Sequence, residues 1–152
     1  MKKIIGLISD THGVLKQKAM DYLSKSDLII HGGDVGDIKI LDSLKEIAPV
    51  YCVKGNIDKG ELKGILPLTQ LIHLDKITIY VIHNLKEIDI DPKAEGIDIV
   101  ISGHSHKFSK HYKDGVLYVN PGGAGRKRFN LPLTVGILYI WDNKIDVEFQ
   151  HL

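Results

Sequence analysis

The chain has 152 residues, 43% hydrophobic and 26% charged, which suits a single globular domain spanning 1–152 and excludes a disordered chain or a disulfide-stapled miniprotein. A net charge of +1 supplies no general attraction for nucleic acid or a membrane surface. The lone cysteine, Cys52, excludes an internal disulfide and a multi-cysteine zinc site, and its apolar surroundings read as those of a buried structural thiol.

The first apolar run, residues 4–8, stops at Ser9-Asp10 without a small-residue cleavage site. It reads as a strand, not a secretory signal. No apolar run approaches the ~20 residues of a membrane span, so a cytoplasmic protein with no membrane partner is expected. Residues 3–8, 27–30 and 49–53 are short β-branched runs without alternation, as in parallel strands covered on both faces. Between them, Leu15, Ala19, Met20 and Leu23, and then Ile38, Leu41, Leu44 and Ile47, have helical spacing. The first third is therefore βαβαβ, with right-handed crossovers. Residues 59–69, with two glycines and a proline, read as a loop. Strands follow at 71–74 and 77–82, a short helix at 92–95, and a buried strand at 98–101. Two hairpins close the chain, 110–112 with 116–119 around Asp114-Gly115, and 134–141 with 145–149 around Asp142-Asn143-Lys144. Strands that become antiparallel in the second half point to two packed sheets with helices outside.

The chemistry-bearing residues follow these strands. Asp10 and His12 follow the first, Asp34 the second, Asn56 and Asp58 the third. His83 follows the strand at 77–82, and His104 and His106 the strand at 98–101. Ligands of open α/β sheets bind beyond the carboxyl ends of the strands. Mixed imidazole and carboxylate donors suit Mn, Fe, Co, Ni or Zn, whereas oxygen alone would suit Mg or Ca. The donors suffice for two metals about 3.5–4 Å apart, the spacing of two-metal hydrolases. The two-residue spacings Asp10/His12 and His104/His106 would turn both side chains to one side of an extended segment. Taken singly, each residue has an ordinary use: Asp10 or Thr11 could cap the first helix, and Asp34 or Asp37 the second. Five strand ends with metal-ligand types together favour a metal centre.

In order, Ser9-Asp10-Thr11-His12-Gly13, Gly33-Asp34, Gly55-Asn56-Ile57-Asp58, His83 and Gly103-His104-Ser105-His106 resemble the motifs of calcineurin-like metallophosphoesterases. The short chain and its Tyr118-Val119-Asn120-Pro121-Gly122 ending are similar to the small YfcE-type phosphodiesterase subfamily. The resemblance implies a four-layer αββα sandwich of two packed mixed sheets flanked by helices. It implies two divalent metal ions, Mn or Ni first and Fe, Co or Zn as alternatives. Asp10, His12 and His106 would hold one ion, Asn56, His83 and His104 the other, and Asp34 would bridge them. Asp34, Asn56 and His83 would then be catalytic. The implied reaction is hydrolysis of a small phosphate ester, most often a diester, by in-line attack of a metal-bridging hydroxide.

Three positions depart from the family pattern. Ile57 stands where many relatives have a histidine that can protonate the leaving group, so substrates with good leaving groups are favoured. Asn84 replaces a glycine after His83, and Gly123 replaces a serine after Gly122. Asp58 reads as a loop-building residue. His31 reads either as a residue orienting a ligand or as a core histidine. His73, His111 and His151 read as surface residues. Arg126-Lys127-Arg128 is either an anion-attracting cluster, with Arg126 binding substrate alongside Asn56, or a solvated loop. The glycine-rich segment at 122–125 lacks the Lys-Ser/Thr of a P-loop. A protein-binding scaffold similar to the retromer subunit of the same fold is the alternative to an enzyme. Retention of all seven ligand positions favours the enzyme. An exposed edge strand of the second sheet could support a homodimer.

Overall fold

The computed structural model describes residues 2–152. Its first sheet contains β1 (Lys3–Ile8), β2 (Leu28–His31), β3 (Val50–Cys52), β9 (Thr134–Trp141) and β10 (Lys144–His151), in the order β10-β9-β1-β2-β3. β1, β2 and β3 pair in parallel, while β9 joins the other edge of β1 antiparallel. The second sheet contains β4 (Thr69–Leu74), β5 (Ile77–Ile82), β6 (Ile99–Ile101), β7 (Ser109–Lys113) and β8 (Val116–Asn120), in the order β4-β5-β6-β8-β7.

Strand periodicity divides the apolar residues between two layers. From β1, Ile5 and Leu7 point into the core between the sheets, against Ile79, Val81, Ile99, Ile101, Leu117 and Val119. Ile8, with Ile29 of β2, points the other way, against α1 (Gln17–Leu23) and α2 (Ile38–Lys45) through Ala19, Leu23, Leu41 and Leu44. At Gly6 there is no room for a side chain: a Cβ would lie 2.6 Å from both Leu23 Cδ2 and Ser26 Oγ. The missing Cβ is what lets α1 seat against β1.

The outer face of the second sheet is covered differently. Tyr80, Ile82, Val100 and Val116 pack beneath Leu85, Ile88, Ile90 and Ile97, which belong to an irregular segment with one 3-10 turn, Leu85–Glu87. The segment at 92–95 forms a single hydrogen-bonded turn, Glu95 N–H to the Asp91 carbonyl and Ile97 N–H to the Pro92 carbonyl, not the expected helix. Gly96, at φ 73°, ends it.

Three further expectations are corrected. β5, β6 and β8 run parallel, so the antiparallel reading of the second half is corrected, and the sheet is mixed as the family resemblance implied. In the hairpin β7–β8, β8 is buried at four of five positions and takes the inner place beside β6, whereas β7 is exposed throughout and takes the edge. Residues 59–69 include a short helix, α3 (Glu61–Ile65), anchored by buried Leu62. α1 begins at Gln17 without a side-chain cap. Asp10 and Thr11 are committed to other bonds, but Asp37 does cap α2 by accepting from Lys39 N–H.

Candidate metal centre

The carboxyl ends of β1, β2 and β3 and those of β5 and β6 meet at one rim, and the sequence-selected residues converge there. Asp10, His12 and His106 bring ligand atoms within 4.8 Å of one another, and so do Asp34, His83 and His104. The two groups adjoin through Asp34. Its Oδ2 lies 3.2 Å from His83 Nε2 and 3.5 Å from His12 Nε2. Asp10 Oδ1 lies 3.5 Å from His106 Nε2, 3.8 Å from His12 Nε2 and 3.9 Å from His83 Nε2.

Asp10, His12, Asp34, His104 and His106 all have left-handed backbones, with φ between 46° and 73°. The expectation of extended segments at Asp10–His12 and His104–His106 is therefore wrong. Each strand end turns sharply, and this turn aims the side chains inward. Such backbone costs on the order of 1 kcal/mol per residue and collects at functional sites. Glycines lie where it needs room. A Cβ on Gly55 would collide with the Asp34 backbone and carboxylate, and one on Gly125 with the Thr11 backbone.

Hydrogen bonds tie down the half of the Asp10, Asp34 and His83 side chains that faces away from the centre. Asp10 Oδ2 accepts from Ser9 Oγ at 2.8 Å and from His104 N–H at 3.0 Å. Asp34 Oδ1 accepts from Ile57 N–H at 3.0 Å. His83 Nδ1 donates to the Gly32 carbonyl at 2.7 Å, which fixes the tautomer and leaves the Nε2 lone pair free. The inward atoms Asp10 Oδ1, His12 Nε2 and His83 Nε2 are buried without a hydrogen-bond partner, as is His106 Nδ1. Buried polar atoms are nearly always satisfied, so a cluster of orphans this dense fits a cation.

The electrostatics agree. Burial by itself would raise the Asp34 pKa, but the His83 ring, the Ile57 N–H and the neighbouring His12 outweigh it and hold the carboxyl at about 2. Burial opposes charge on His83, yet Asp34, Asp10 and the Gly32 carbonyl raise its pKa above the ordinary imidazole value. Burial lowers the His106 pKa, helped by Arg128 and His12 and opposed by Asp10. The ionised Asp34 carboxylate supplies negative field of the kind a divalent ion needs.

Asp58 carries the support. It is buried and accepts four backbone N–H groups: Asp34 (3.0 Å) and Gly55 (2.8 Å) on Oδ2, Val35 (2.9 Å) and Gly36 (3.1 Å) on Oδ1. One carboxylate thus binds the loop after β2 to the loop after β3, the loop-building role expected. His31 is fully buried, and burial lowers its pKa to about 4, so it is neutral. Its Nδ1 accepts from Gly33 N–H, leaving Nε2–H to donate to Thr11 Oγ1, which in turn donates to the Val35 carbonyl. It braces the backbone beside Asp10, His12 and Asp34 without touching their side chains. Asn120 Nδ2 donates to the Gly103 carbonyl and Ser105 Oγ, fixing the turn that carries His104 and His106.

Asn56 is exposed and lines a cleft of about 330 Å³ beside His83, together with Lys54, Lys59 and Lys63. These lysines were not anticipated, although Lys59 and Lys63 have helical i,i+4 spacing. Arg126 is exposed, with its Nε donating to the His12 carbonyl at 3.4 Å. Arg128, two residues on, lines a second cavity together with His104 and His106. His73 and His111 are exposed, as expected, and so is His151. The Cys52 thiol is buried, and burial drives its pKa far up, so it is inert.

Comparison with known proteins agrees with this geometry. The calcineurin-like phosphoesterase superfamily domain matches residues 3–143. A probable metallophosphoesterase of Methanocaldococcus jannaschii is 40% identical over 133 residues, covering 78% of this chain and 67% of that protein. The solved structure of an archaeal phosphodiesterase covers all of both chains at 25% identity, with a TM-score of 0.80. Vacuolar protein sorting 29 from Cryptosporidium parvum covers 99% of this chain and 98% of its own at 20% identity, with a TM-score of 0.79, a likeness of fold alone.

Proposed function

Because the chain belongs to the calcineurin-like phosphoesterase superfamily, we propose that it is a metal-dependent phosphodiesterase that uses two divalent ions. The observation that carries this reading is the pair of donor groups adjoining at Asp34, with Asp10 Oδ1, His12 Nε2 and His83 Nε2 buried and unpartnered among them. Asp10, His12 and His106 would hold one ion; Asn56, His83 and His104 the other; Asp34 would serve both. The family resemblance points to Mn or Ni first, and the mixed imidazole and carboxylate donors also suit Fe, Co or Zn. When bound, such ions supply Lewis acidity toward phosphoryl oxygen and acidify water.

The residues divide the remaining work. Asp34 keeps its charge to low pH and holds the two halves of the site at a fixed separation. His83, locked by the Gly32 carbonyl, presents one nitrogen without rotating. Asn56 stands on the exposed side of the cleft, where its amide can reach a phosphate oxygen. Lys54, Lys59 and Lys63 on one flank, and Arg126 and Arg128 on the other, give an anionic ester a positive approach. Ile57, 39% exposed, brings no proton to the leaving group. The reading therefore favours esters whose leaving group needs none.

The likeness to vacuolar protein sorting 29 is one of fold, and the complete donor set here favours hydrolysis over a scaffold role. The test is an assay of metal-stripped protein with bis(p-nitrophenyl) phosphate and p-nitrophenyl phosphate, adding Mn, Ni, Co, Zn or Mg singly. Metal-dependent turnover with the diester preferred supports the reading. Monoester preference would change the class. No turnover of either ester with occupied sites would favour the scaffold.

A further inference from the structure

Beyond the metal centre lies a larger cavity, about 580 Å³, that the reaction itself does not require. It exists because of how the second sheet is covered. The segment after β5 shields Tyr80, Val100 and Val116, but β7 stays exposed and Tyr118 of β8 is only half-buried. On that open face, His111 and Tyr118 are register partners, and their rings stack at 5.3 Å with an interplanar angle of 7°. The His104–His106 turn forms the end of the cavity nearest the metal centre, and Arg128 and Phe129 line its rim.

Phe129 has no role in the fold. Its side chain is 89% exposed, so it contributes nothing to the core. Its backbone sits at φ 55°, a conformation that a bulky residue adopts at a cost and that Gly or Asn would adopt freely. An exposed aromatic in a strained loop, lining the same cavity as a stacked aromatic pair and a guanidinium, has the makings of a stacking platform. The volume falls within the range of cavities that hold a small organic ligand.

We propose that this cavity is a specificity subsite that binds a planar aromatic heterocycle carried by the alcohol esterified to the phosphate, making nucleotide-like diesters the preferred substrate class. Phe129 and the His111/Tyr118 pair stack the ring, and Arg128 faces the phosphate end. The inference rests on the phosphodiesterase reading for its substrate but not for its binding test.

The test begins with binding. Manganese-loaded protein is titrated calorimetrically with adenosine 5'-monophosphate and with ribose 5-phosphate, which differ only in the base. The monophosphate with the base is expected to bind at least about tenfold more tightly, the scale of one stacked base. Phe129→Ala and His111→Ala should each remove most of that gap while leaving ribose 5-phosphate unchanged. Tyr112→Ala, an exposed aromatic on β7 outside the cavity, should leave the gap intact. Turnover follows, comparing thymidine 5'-(p-nitrophenyl phosphate) with methyl p-nitrophenyl phosphate. Phe129→Ala should raise KM for the first about tenfold, with kcat and both constants for the methyl ester unchanged. Equal affinity for the two monophosphates, or a gap that survives both variants, would overturn the subsite. A base-dependent gap with no turnover of any diester would uphold the subsite and overturn the phosphodiesterase reading instead.

Discussion

The flank of the centre at Asp10 and Asp34 is buried and cross-linked, whereas the flank at Asn56 and His104 is open. On the first, Asp10 and Asp34 are nearly inaccessible, each has one carboxylate oxygen tied down, and Asp58 and His31 fasten the loops beneath them. On the second, Asn56 and His104 are exposed, and the residues beyond them line clefts. The difference separates two tasks. Preorganised charge works best in a rigid, dry bed, because nothing need reorganise when a cation or transition state arrives. Substrate entry needs side chains that water and ligand can reach. The strained φ values at Asp10, His12 and Asp34 persist because the cross-linked flank overdetermines them.

The contrast can be broken most directly at Asp34. Asp34→Asn keeps an acceptor for Ile57 N–H but loses the charge that faces both donor groups. Diester turnover should fall roughly a hundredfold or more, with the fold retained by circular dichroism and weaker binding of both ions. An unchanged rate at saturating metal would show that Asp34 serves neither ion. Next in size, Asp58→Ala strands four backbone N–H groups. At about 1–3 kcal/mol for each unsatisfied group, partly relieved by water, stability should drop by at least about 3 kcal/mol. That corresponds to roughly 6–12 °C in Tm. A melt within a degree or two of the parent would mean that the two loops hold together without it.

His31 gives a pH test of the same flank. Its pKa in the folded chain is about 4 against an ordinary 6.5, so between those values the unfolded chain binds the extra proton. Stability contributed at this site should be constant above pH 6.5 and fall as pH drops toward 4, by about 3 kcal/mol in total. Urea titrations across that range should show a shallower slope for His31→Gln; parallel curves would mean that His31 is not held neutral. The smallest expected effect lies on the open flank. Ile57→His places a titratable ring at an exposed position in the cleft loop. Turnover of an alkyl ester, a poor leaving group, should rise about tenfold near neutral pH, with little gain for a p-nitrophenyl ester. Equal gains for both would point to phosphate binding instead of proton transfer.

Much of the site was legible from its sequence because strand ends are legible. Apolar runs such as those ending at Ile8, Val53 and Ile101 stop abruptly, and the residues after them carry the chemistry. Asp58 was recognisable as a loop builder from its type and place. What sequence did not show was geometry that leaves no compositional mark. Asp10, His12 and His104 turn left-handed although none is glycine; Asp and His visit that region more often than most residues, but too rarely for identity alone to flag the turn. Strand direction in the second sheet was hidden as well, because runs as short as Ile99–Ile101 look the same in parallel and antiparallel pairing. The segment at 92–95 has the length of a helical turn, but its apolar neighbours Ile90 and Ile97 pack down onto the sheet and leave it no helical face to bury. Phe129 went unnoticed because a lone aromatic in a loop becomes informative only once its exposure and backbone are known.

The central claim is that two donor groups adjoining at Asp34 hold two divalent ions and that hydrolysis needs both. The direct measurement is a manganese titration of the metal-stripped chain, counting bound ions by mass spectrometry while following turnover of bis(p-nitrophenyl) phosphate in the same samples. The account predicts two ions per chain at saturation, with turnover rising as the second site fills. No bound metal, or full turnover with a single ion, would contradict it.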